Sequence, residues 1–115
     1  MCAVDENNMN GLEIPERDWK RWRELSKIAL ERYCVKILEG AAKYKSGKDT
    51  AHGRYLKLWR YIRKHDLTIA IIFNNPRRST AYSQMHAALS EGVITRDELA
   101  EFSDQTQQLI EIWLR

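Results

Sequence analysis

Three histidines, His52, His65 and His86, are the side chains able to exchange protons near neutral pH. His65-Asp66, with His52 upstream and Asp104 downstream, has the residue types of an H…HD…D metal-binding pattern. His52 and His65 stand thirteen residues apart on one expected helix, about 20 Å by the helical rise, too far to share an ion. No E-x-x-H pair or H-x-x-x-H unit supplies another metal helix, so no metal, cofactor or catalytic residue is assigned. Cys2 and Cys34 are too far apart in sequence for a C-x-x-C unit, and two cysteines make no disulfide framework. Cys34 is expected to pack as a small apolar residue.

Arg77-Arg78 precedes Ser79-Thr80 at an expected helix start, where free N–H groups and two guanidiniums suit an anion. The Gly-rich loop that brings phosphate close to the backbone is missing, so the alternative is pairing with carboxylates elsewhere in the bundle. Charge is distributed unevenly. Lys43, Lys45, Lys48, Arg54, Lys57, Arg60, Arg63 and Lys64 face one acid, Asp49, whereas Glu91, Asp97, Glu98, Glu101, Asp104 and Glu111 face one base, Arg96. The two regions could complement each other within a chain or between chains. Alternatively, Lys57, Arg60 and Lys64, with Arg77 and Arg78, contact an anion or acidic partner, phosphates of nucleic acid included. Tyr55 and Trp59 lie on the expected buried stripe, which leaves them unavailable to stack on bases and disfavours nucleic acid.

Those residues must be positioned by few, long elements, because 115 residues contain only two prolines and five glycines. Residues 1–13 are polar and aperiodic and are expected to be disordered; residues 14–115 read as one helical domain. Trp22, Leu25, Ala29, Tyr33 and Ile37 recur at helical spacing after Pro15, and Ile28, Leu30, Cys34, Val35 and Leu38 make a second apolar line. Gly40 ends or loosens this helix, and Lys45–Lys48 is the turn. A second helix, capped by Asp49 or Thr50, runs to about Phe73 with Tyr55, Leu58, Trp59, Ile62, Ile69 and Phe73 as its buried stripe. Asn75 and Pro76 open a third helix, which Gly92 stops. Thr95 and Glu98 form a capping box flanked by Ile94 and Leu99, opening a helix that ends near Phe102. Ser103 caps the last helix. The fold class is all-α: a bundle of four to five helices, the first two forming a long antiparallel hairpin.

The stretches Ile14–Trp19, Tyr55–Ile62, Arg77–Ala81 and Gly92–Leu99 resemble small all-helical bacterial proteins of the mobile gene-cassette (integron cassette) type. The resemblance implies a bacterial, cytoplasmic accessory protein and brings no activity with it. No apolar run is long enough to span a bilayer, and the N-terminus lacks signal-peptide features, so no membrane is expected. The leading functional reading is a non-enzymatic helical interaction protein that forms a homodimer, with a protein partner as its natural extension. Leu109, Ile112 and Trp113, an apolar edge close to the chain end, are its expected association surface. A nucleic-acid or acidic-partner module using residues 43–64 comes second, and a metal-dependent phosphohydrolase third.

Overall fold

The computed structural model describes residues 13–114, and among them every regular element is helical. The expected disorder of residues 1–13 lies outside the described residues except at Glu13, whose carbonyl accepts from the Gln105 side chain at 3.0 Å. Helix α1 spans Glu16–Ala41, with Pro15 immediately before it and Glu16 and Asp18 in its first turn. A short 3₁₀ turn, Ala42–Lys45, leads to the loop, and α2 then runs over Ala51–Phe73. Thr50 caps α2 by accepting from the Gly53 N–H at 3.0 Å. The two helices form the antiparallel hairpin.

The chain next turns through Asn75, whose φ of 52° puts a non-glycine residue in the left-handed region. Asn75 is therefore a turn residue and not the cap of a third helix. A 3₁₀ turn at Arg78–Thr80 precedes α3, Ala81–Ser90. Gly92, at φ 76°, stops α3 while the Val93 N–H bonds back to the Ala88 carbonyl. The short α4, Arg96–Leu99, carries the expected capping box in full: Thr95 Oγ1 accepts from the Glu98 N–H, and Glu98 accepts from the Thr95 N–H. Helix α5, Asp104–Leu114, closes the domain.

The core is asymmetric. Trp22, Leu25, Ala29, Tyr82, Met85, Ala88, Val93 and Ile110 are fully enclosed where the base of the hairpin meets α3, α4 and α5. Asp18 lies among them, 1% exposed. Its carboxylate accepts from the Ser103 N–H at 3.1 Å, the Ser103 hydroxyl at 2.5 Å and the Thr106 hydroxyl at 2.6 Å. The start of α1 thus provides the polar acceptor for the start of α5. At the other end, no side chain from Cys34 to Ile71 is buried, so the hairpin projects as a bare arm and the molecule measures 61 × 27 × 26 Å.

This asymmetry corrects the expected stripe of α2. Only Ile72 is buried there, while Leu58, Tyr61, His65 and Ile69 are half-buried against α1. Tyr55, Trp59 and Ile62 are 60%, 50% and 48% exposed. Helix α2 carries two apolar lines, and its own chain covers only one. The second lines up on the outside of the arm.

Candidate interaction surfaces

The expected site residues fall into separate places. His52 stacks beside Tyr55 near the start of α2, with ring centroids 6.4 Å apart. His86 meets Trp113 edge-on at 5.4 Å in the folded end. His65 lies in the α1–α2 seam, where its Nδ1 is 2.8 Å from the Tyr33 hydroxyl. Burial raises the Tyr33 pKa above that of an ordinary phenol. Arg78 is committed to the fold: it donates to both Glu16 oxygens, at 3.2 and 3.0 Å, and lies over the Trp19 ring at 5.5 Å. Its side chain holds the Glu16 carboxyl below the usual range. Arg77 is exposed in the preceding turn, apart from Lys57, Arg60 and Lys64 on α2. The five cations do not form one surface.

Three acids of the C-terminal region are ion-paired, Glu98 and Glu101 with α1 and Glu111 with Arg96 of α4, and none with the basic stretch of α2. Arg21 pairs with Glu101 at 2.8 Å, and Arg96 pairs with Glu111. Lys36 donates to the Glu91 carbonyl at 2.6 Å. Arg32 grips Glu98 through two bonds, at 2.8 and 2.9 Å, and also reaches the Val93 carbonyl at 3.1 Å. That fork, helped by the bond from the Thr95 N–H, brings the Glu98 carboxyl down to about 2. Asp49, the sole acid of the basic stretch, is paired with Lys57, which lowers its pKa. The basic stretch of α2 and the acidic C-terminal region therefore do not meet each other through ion pairs among the described residues.

The arm is held together by close packing between α1 and α2. Gly40, in the last turn of α1, leaves room for Tyr61: an added Cβ would stand 2.0 Å from the Tyr61 hydroxyl. That hydroxyl donates to the Ile37 carbonyl at 3.1 Å. Tyr61 in turn contacts Tyr44 at 5.4 Å and the His65 ring edge-on at 4.5 Å. The Lys43 ammonium lies 5.1 Å from the Tyr44 ring centre and 5.8 Å from that of Tyr61.

Two surfaces flank this seam. On one side, Lys43, Lys57, Arg60 and Lys64 rim a groove of about 390 Å³ floored by Tyr44, Tyr61 and His65. On the other, Tyr55, Trp59 and Ile62 follow one another at i, i+4 and i+7, a continuous apolar line. Rotation of about 100° per residue sets Lys57 and Lys64 on the far side of α2 from that line. Helix α1 adds its own exposed apolar residues, Ile28, Val35 and Leu38, the last 70% exposed. Compared with known protein families, curated proteins and solved structures, the chain matches none.

The expected association edge divides. Leu109 and Trp113 pack against the core of their own chain, and only Ile112 is open, at 57% exposure. The reason is the i, i+4 spacing of Leu109 and Trp113, which turns both to the face that α3 covers. Two positions that hold the scaffold of these surfaces have roles the sequence reading did not give. Asp18 had a usable signal, since it precedes Trp22, Leu25 and Ala29 at core spacing and an acid there demands buried donors. Gly40 had none, because its role depends on which residue of α2 sits opposite.

Proposed function

We infer that the protein works by association and not by catalysis, laying its hairpin arm against that of a second copy. The observation that carries this reading is the bare arm: from Cys34 to Ile71 no side chain is buried by its own chain, yet both helices carry apolar lines. Long helices draw most of their stability from packing an amphipathic face, and a two-helix arm offers each helix only one neighbour. Two arms side by side supply four helices, the number that encloses a bundle core. Tyr55, Trp59 and Ile62 would then meet the same line of a two-fold mate, in a self-complementary contact. An aromatic-rich centre suits such an interface. The reading keeps the bacterial, cytoplasmic accessory role that the cassette-type resemblance implies.

Sedimentation across a concentration series tests it. The wild type should reach twice the 13.6 kDa chain mass as concentration rises. Trp59→Glu should return it to a monomer with unchanged helicity, whereas Trp113→Ala should lower stability and leave association intact. A wild type that stays monomeric at every concentration refutes the dimer.

A further inference from the structure

The basic groove on the opposite side of the arm is independent of the apolar line and shares no lining residue with it. Its four rim cations have no carboxylate among the groove's lining residues. It continues, through Lys43, Tyr44 and Lys57, into a second hollow of about 330 Å³ toward the loop. That hollow adds Lys48 and Arg54, and its one acid, Asp49, is already taken by Lys57. Arg54 is turned inward, donating to the Lys45 carbonyl at 2.5 Å and the Asp49 carbonyl at 3.3 Å. Lys48, Arg60 and Lys64 form no ion pair among the described residues.

With Lys57 already paired to Asp49, Lys48, Arg60 and Lys64 remain as unpaired cations along this tract; they repel one another and mark where a polyanion belongs. Cations stand on both rims, Lys43 from the α1 side and Lys57, Arg60 and Lys64 from α2. Along α2 the three cations rise by about 4.5 and 6 Å, a ladder on the scale of successive phosphates in an extended strand. The groove is shallow and open, with cations contributed from both helices and half-buried rings between them, a surface that a flexible single phosphodiester strand can follow more closely than a rigid duplex. We propose that this groove binds single-stranded nucleic acid through its phosphates, without reading base sequence.

The test is fluorescence anisotropy of a mixed-sequence single strand of about 16 nucleotides, titrated with the full chain. With three or four phosphates contacted, log affinity should fall against log salt with a slope of about −2 to −3. Between roughly 50 and 200 mM salt the affinity should therefore drop about 20- to 60-fold. The double variant Arg60→Glu/Lys64→Glu should lose about tenfold or more at the lower salt and show a shallower slope. Both residues are exposed on α2, so its helicity and its sedimentation should match the wild type. Arg60→Gln/Lys64→Gln makes the same comparison should charge reversal disturb the arm. Absence of binding at the lower salt overturns the proposal, as does an affinity unchanged in both double variants. Tighter binding of the matching duplex, or equal binding of polyglutamate, overturns it too.

Discussion

Replacing Gly40 with alanine sets two effects of opposite sign against each other. Alanine favours the helix over glycine by about 1 kcal/mol, so propensity alone makes Gly40→Ala stabilising. Packing says otherwise. The new methyl would stand 2.0 Å from the Tyr61 hydroxyl and 2.9 Å from the ring carbon that bears it, so the ring must move. Overpacking of this kind costs about 1–3 kcal/mol. Displacing the ring also breaks the bond from Tyr61 to the Ile37 carbonyl, a further loss of about 1 kcal/mol. Packing should win, leaving a net loss of about 1–3 kcal/mol. Urea unfolding followed by helical circular dichroism at fixed protein concentration measures it. The cost of Gly40→Ala should shrink in a Tyr61→Phe background, which removes the nearer of the two contacts. A gain of about 1 kcal/mol on Gly40→Ala would show that α1 and α2 do not approach at Gly40.

Two further outcomes concern α4. Thr95→Ala should cost about 0.5–2 kcal/mol, read as a lower urea midpoint, because the Glu98 N–H loses its acceptor. Glu98 ties stability to pH. Its folded pKa of about 2 lies below the unfolded value, so its contribution is complete above pH 4.5 and is lost as pH falls toward 2. Arg32 is 42% exposed, so solvent screening keeps the effect below what the shift alone implies. Glu98→Gln should flatten the fall in melting temperature over that interval, and an unchanged acid limb in that variant would place the titration elsewhere.

What was legible in the sequence was local. Thr50, the Thr95–Glu98 box and Gly92 each act within a few residues, and each stands where spacing put it. Asn75 shows the limit of such reasoning, since Asn-Pro fits both a helix start and a turn, and the path of the chain toward α3 chose the turn. The buried face of α2 was misread for a deeper reason. Periodicity shows that Tyr55, Trp59 and Ile62 share a line, but which of two lines is covered depends on where the rest of the chain runs out. The C-terminal helices sit at the base of the hairpin, and no local signal in α2 encodes that. The groove was legible as composition and not as shape: Lys57, Arg60 and Lys64 were visible, but the floor of Tyr44, Tyr61 and His65 needed the register of α1 against α2.

The clasp between Asp18 and the start of α5 joins residues 85 and 88 positions apart. Closing a loop of that length costs about 4 kcal/mol of chain entropy, so the contact forms only once the intervening helices have shortened the path. On a ribosome the acceptor is made long before its donors. Until Ser103 and Thr106 emerge, Asp18 must stay in water, because burying an unmatched carboxylate would be prohibitive. The first turns of α1 therefore cannot dock in their final place while the chain is incomplete. Synthesis of the last helix is what commits the first one, and the two ends of the domain mature together.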